Sequence, residues 1–193
     1  MSNSSRNTMQ SPLIWIDLEM TGLNPQSDVI LEIAAVITDD DLNFVGEGVS
    51  LVIHQSEEAL AAMDDWNVKH HTESGLIDKV RQSEVSLEEA EAVTYDFVST
   101  FTQPRKSPLC GNSISQDRNF LRRYMPTLEA HFHYRNIDVS TVKELAKRWA
   151  PKVKRQFTKA NEHRALEDIK ESIRELAYYR QHFIKEQFWL SVD

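Results

Sequence analysis

The segment LIWIDLEM, residues 13–20, has five apolar residues among its first six, yet it carries Asp17 and Glu19. The apolar residues suit a buried strand, where an unpartnered carboxylate is rarely tolerated. Side chains at i and i+2 of a strand leave the same face, so Asp17 and Glu19 project together beside Leu13 and Trp15. Two adjacent anions in a half-buried place repel each other unless a proton or a cation lies between them. Hard divalent ions such as Mg²⁺ and Mn²⁺ take oxygen ligands of this kind. Alone the pair is weak: with 30 acids in 193 residues, a D-x-E arises by chance about once.

Along the chain, VILEIAAVIT (29–38) predicts a second strand and residues 44–54 a third, joined by the turn-forming DDDLN. These three strands form an antiparallel meander. EEALAAM and DWNVKHH are short helical pieces or loop. Ser86 and Glu89 form a capping box before an apolar stripe through Ala90, Val93, Thr94, Phe97, Val98 and Phe101. LCGNS predicts a short strand, Asp117–Tyr124 a helix stopped by Pro126, and NIDVS a fifth strand. Thr141 and Glu144 form a second capping box for a helix ending at Pro151, and a last helix runs from about Ala165 to Phe183. The order implies an α/β domain: a mixed five-stranded sheet, antiparallel on one side and flanked by helices.

Two further acids join the pair. Asp117 follows the fourth strand, at the carboxyl edge where open α/β sheets keep their sites; a helix-start acid favoured by the macrodipole is the alternative. Asp168 borders the apolar stripe of the last helix, as a metal ligand or as a partly buried salt-bridge partner. His163 lies five residues earlier, about 140° around an ideal helix, so it belongs on the loop or first turn, reaching over the site. His70, His71, His131 and His133 lack partners at zinc spacing.

The net charge of −8 argues against a protein that coats long nucleic acid. From Lys143 to Lys159, seven basic residues face one acid, which reads either as a solvated face or as a local phosphate site. Length fits one domain over residues 11–193, preceded by a disordered polar tail at 1–10 without signal-peptide character. No stretch approaches the roughly 20 apolar residues of a membrane span. The single Cys110 excludes an intrachain disulfide and fits a reducing cytoplasm.

Several side chains suit substrate holding. Leu23, just past the Thr-Gly turn, is placed to wedge beside a base. Trp66 in a polar neighbourhood is either a base-stacking platform or a cap on the core edge. A helix N-terminus at Ser140-Thr141 favours an anion, and the two hydroxyls with Arg135 would complete a phosphate cup.

D-x-E on the first strand, N-S-I-x-x-D (Asn112–Asp117) and H-x-A-x-x-D (His163–Asp168) together resemble the histidine-bearing DEDD exonucleases. LIWIDLEMTGL, MDDWNVKHH, CGNSISQDRNFL, FHYRNIDVSTVKELA and ELAYYRQHFIK extend that resemblance to the oligoribonucleases over nearly the whole chain. The resemblance implies an RNase H-like fold and a 3′-to-5′ exoribonuclease that degrades very short RNA, especially dinucleotides, to nucleoside 5′-monophosphates. It implies two divalent ions, Mg²⁺ or Mn²⁺, held by Asp17, Glu19, Asp117 and Asp168, with His163 as general base. It adds Ser113 to the phosphate cup, and brings His71 and Tyr134 to the substrate across a homodimer interface. Two rivals share the metal acids or the fold: a DNA-directed exonuclease and an inactive nucleic-acid-binding module.

Overall fold

The computed structural model describes residues 12–156 and 164–184. The tail expected at 1–10, and His163, lie outside the described residues. The elements in chain order are β1 (Leu13–Met20), β2 (Ile30–Thr38), β3 (Val49–Val52), α1 (Glu57–Ala61), α2 (Asp65–Glu73), α3 (Leu76–Gln82) and α4 (Leu87–Phe101). There follow β4 (Leu109–Gly111), α5 (Ser115–Tyr124), α6 (Pro126–Glu129), β5 (Asn136–Asp138), α7 (Val139–Trp149), α8 (Pro151–Gln156) and α9 (Ala165–His182). The sheet order is β3-β2-β1-β4-β5. β1–β2 and β2–β3 are antiparallel; β1–β4 and β4–β5 are parallel. This is the mixed five-stranded sheet that the sequence predicts.

β1 is central and its period of two feeds two layers. Ile14, Ile16 and Leu18 pack with Ala90 and Val98 of α4, Phe120 and Leu121 of α5 and Leu128 of α6. Leu13 and Trp15 pack on the other face with Ala34, Val36, Val139 of α7 and Ala165, Ile169 and Ile173 of α9. The buried Trp15 indole donates to Thr38 Oγ1 at 3.0 Å, so its polar atom is satisfied. A register shift at Glu19/Met20 lets Leu31 join a third cluster with Leu60, Leu76, Ile77 and Val80. Among the described residues no helix is long and apolar enough to cross a membrane.

Several boundaries differ from the predicted ones. β3 covers only Val49–Val52, because Gly46 takes a left-handed φ of 79° after an isolated bridge between Thr38 and Phe44. Pro126 ends α5 but also starts α6, and Pro151 starts α8, since a first-turn residue has no helical N–H bond to lose. α7 begins at Val139, and its cap is Asp138, whose carboxylate accepts from the Ser140 N–H at 2.9 Å. The Thr141–Glu144 capping box therefore does not start the helix.

Candidate active site

Strand pairing places Asp17 and Glu19 at the carboxyl end of β1, on the face covered by α9. α9 presents Asp168 one residue before the buried Ile169. Carboxylate oxygens of Asp17, Glu19 and Asp168 all lie within 4.8 Å of one another. Asp117 enters from the first turn of α5, buried, and its Oδ1 accepts the backbone N–H of Leu18 at 3.0 Å. That bond ties the fourth acid to the residue between Asp17 and Glu19.

A fifth acid, absent from the sequence motifs, lies beside these four. Glu32 of β2 is the cross-strand partner of Glu19 and is buried. Its Oε1 accepts from Ser50 Oγ at 2.8 Å, and Oε2 has no hydrogen-bond partner but lies 3.8 Å from Arg164 Nε. The available signal is a lone acid in an otherwise apolar nine-residue run, VILEIAAVI (29–37); assigning it to the site requires the strand register.

The charges crowd at a cost. Burial, then the Asp117, Glu19, Asp168 and Glu32 carboxylates, hold Asp17 well above the usual carboxylate range. Burial pushes Glu19 up to about 8, reinforced by Asp168, Glu32 and Asp117 and only partly relieved by Arg164. Asp117 rises to about 7 through burial, against the lowering effect of its backbone hydrogen bonds. Like charges facing each other across paired strands are destabilising. A divalent cation fits this donor set: all oxygen, clustered, and poised to lose protons to a metal.

His71 of α2 is buried, with Nε2 2.9 Å from the Met20 carbonyl and Nδ1 3.9 Å from Glu19 Oε2. The contacts lie within one chain and dock α2 at the end of β1. The same helix carries Trp66, 61% exposed and stacked on His70 with ring centroids 3.8 Å apart. Exposure of that size fits a stacking platform better than a cap on the core. Leu23 is 71% exposed, in a loop whose carbonyl accepts from Gln116, the neighbour of Asp117. Asp28 shapes that loop, accepting from the Asn24 N–H at 2.8 Å. A Cβ on Gly22 would come within 2.5 Å of the Asp28 carboxylate.

Ser113 and Ser140 meet, Oγ to Oγ, at 3.2 Å. Ser113 adopts a left-handed φ of 53°, and its N–H lies 3.0 Å from both Asp138 Oδ1 and Ser140 Oγ. The helix N-terminus expected to be open to an anion at Ser140-Thr141 thus already spends the Ser140 N–H on Asp138. Thr141 is exposed on the same first turn. Tyr134 is 72% exposed, with the Arg135 guanidinium 5.3 Å from its ring centroid. Of the basic run, Lys143 pairs with Glu175 at 3.1 Å, while Lys147 and Arg148 pair with Glu144; these three serve structure and a solvated face.

Residues 14–176 match the family described as exonuclease. The chain is 60% identical over 179 residues to the oligoribonuclease of Pseudomonas aeruginosa, covering 92% of this chain and 99% of the relative. It is 57% identical over 176 residues to that of Salmonella typhimurium, covering 91% of this chain and 97% of the relative. Among solved structures it resembles exonuclease I of Methylocaldum szegediense (TM-score 0.68, 18% identity, 91% of this chain and 41% of that one). It also resembles Escherichia coli exonuclease I in a zinc-bound complex with single-stranded DNA (TM-score 0.66, 18% identity, 89% and 41%). This chain spans about two fifths of those two proteins, and the likeness to them concerns the RNase H-like fold.

Proposed function

The chain belongs to the oligoribonuclease family of exonucleases, and from that premise we propose which residues carry its 3′-to-5′ exonuclease activity. The observation that supports the assignment most is the convergence of Asp17, Glu19 and Asp168 within 4.8 Å, with Asp117 bonded to the strand between them. These four hold two divalent ions, Mg²⁺ or Mn²⁺, which when bound stabilise the attacking and leaving oxygens of an in-line displacement at phosphorus.

His163, immediately before Arg164, is the general base. An imidazole with an unperturbed pKa of about 6.5 takes the proton of the attacking water near neutrality. The water oxygen bonds to phosphorus, the bond from phosphorus to the 3′ oxygen of the preceding nucleotide breaks, and a nucleoside 5′-monophosphate leaves. Substrates are RNA dinucleotides and other very short single strands. An enzyme for such substrates contacts few phosphates and needs no long basic track, in keeping with the net charge of −8.

Leu23 wedges beside a base and Trp66 stacks on one; their exposure supports both roles. His71 braces the Trp66 helix beside Glu19 and faces the scissile end. Ser113, Ser140 and Thr141 hydroxyls with Arg135 hold the 5′ phosphate, while Asp138 keeps the backbone N–H groups for itself. Tyr134 reaches the substrate of a second copy in a homodimer, and its exposure suits such a reach. The one cysteine fits work in the reducing cytoplasm.

Hydrolysis of a 5′-phosphorylated RNA dinucleotide, with and without Mg²⁺, tests the assignment in wild type and Asp117→Ala. Mononucleotide release is expected only with metal, and should fall in the variant by more than about 100-fold, beyond the range for an outer partner of a metal site. Metal-independent release would overturn it. Faster cleavage of the DNA dinucleotide would instead favour a DNA-directed enzyme.

A further inference from the structure

Asn112, at the turn after β4, uses both ends of its amide. Nδ2 donates to Ser172 Oγ at 2.7 Å and to Glu175 Oε2 at 3.4 Å. Oδ1 accepts from Ser140 Oγ at 3.0 Å and from Lys143 Nζ at 3.4 Å. An ammonium only donates and a carboxylate only accepts, so Lys143 and Glu175 fix which way the amide points. Ser172 Oγ then donates to the carbonyl of Asp168 at 2.8 Å. The Lys143–Glu175 pair, 3.1 Å apart with Glu175 buried, closes the network.

A single side chain thus joins the first turn of α7 to the turn of α9 that carries Asp168. Resting on the reading that a 5′ phosphate binds at Ser140, we propose that Asn112 is a positioning residue. It transmits occupancy of the phosphate cup to Asp168, so that a terminal phosphate on short RNA raises turnover as well as affinity.

Ser140 has one hydroxyl proton, and here it goes to Asn112. A phosphate oxygen is a stronger, charged acceptor. When it takes that proton, Asn112 Oδ1 keeps Lys143 alone, and the amide is drawn toward the Lys143–Glu175 pair. Its Nδ2 bond to Ser172 shifts with it, and Ser172 is bonded to the backbone of Asp168. Binding energy at the far end of the substrate is thereby spent on aligning a group at the reacting end, which appears in kcat.

Steady-state kinetics with Mg²⁺ on the same RNA dinucleotide with and without its 5′ phosphate read this directly. Wild type should show a lower KM and a higher kcat for the phosphorylated form. Asn112→Ala should lower the ratio of the two kcat values by about 5- to 10-fold, the size of one lost hydrogen bond, while the KM preference persists. Ser172→Ala, a mild helix substitution away from the cup, should do the same if Asn112→Ala folds poorly. Variants that slow both substrates by one factor would reduce Asn112 to a structural brace and overturn the relay alone. A wild type without any KM preference for the phosphorylated form would overturn the cup, and the relay with it.

Discussion

At the end of β1, carboxylates face one another with raised proton affinities, and Glu32 Oε2 has no hydrogen-bond partner. At the start of α7, by contrast, Ser113, Ser140, Asn112 and Asp138 bond among themselves at 2.9–3.2 Å. The first region is relieved when a cation arrives. The second would have to exchange existing bonds for an anion to bind. Under the proposed assignment one would gain affinity by losing repulsion, whereas the other would gain it only through groups stronger than those displaced, above all the Arg135 charge. On that assignment cation affinity would depend on the count of acids, and anion selectivity on a few exchangeable hydrogen bonds.

The sharpest way to separate chemistry from charge crowding is His163→Ala. Turnover should fall by about 10²- to 10⁴-fold, the usual share of a general base, while calorimetric Mn²⁺ affinity changes little. Equal losses of turnover and metal affinity would move His163 into the carboxylate cluster. Next in size, Arg135→Ala should shift the relative rates on a dinucleotide and a longer oligomer by about 10-fold, within the range for a charge-assisted hydrogen bond. Unchanged relative rates would leave the serine cup without a role in length choice.

The smallest effect concerns stability and belongs to the acid cluster alone. Glu19 at about 8 and Asp117 at about 7 sit above their unfolded values near 4. Groups raised in the folded state stabilise fully below the unfolded value and lose that contribution as pH climbs through the folded one. Metal-free protein should melt a few degrees lower at pH 8 than at pH 5, and Mn²⁺ should restore more at pH 8. A flat melting profile in the metal-free protein would deny the crowding.

What the sequence makes legible follows from range. The shared face of Asp17 and Glu19 needs only the period of a strand, and Ser86 caps α4 as its box predicts, accepting from the Glu89 N–H. Asp138 defeats the Thr141–Glu144 box because it also binds Ser113, 25 residues away, which no local pattern reveals. Glu32 becomes a site residue only through the β1–β2 register. Asn112 was visible as part of a motif, but its four partners lie 28 to 63 positions along the chain. The polar network is illegible for that reason, and the predicted third strand starts too early because it includes Gly46 and Gly48, which precede β3.

β1 places Trp15 in the packed interior and Asp17 and Glu19 farther along the same side. Adding or removing one residue between Trp15 and Asp17 would turn both acids into the layer of Ile14 and Ile16. Descendants of this chain can exchange side chains in that stretch, but cannot change its length and keep both a core and a catalyst. In this stretch the spacing, as much as the residue types, is what the site requires.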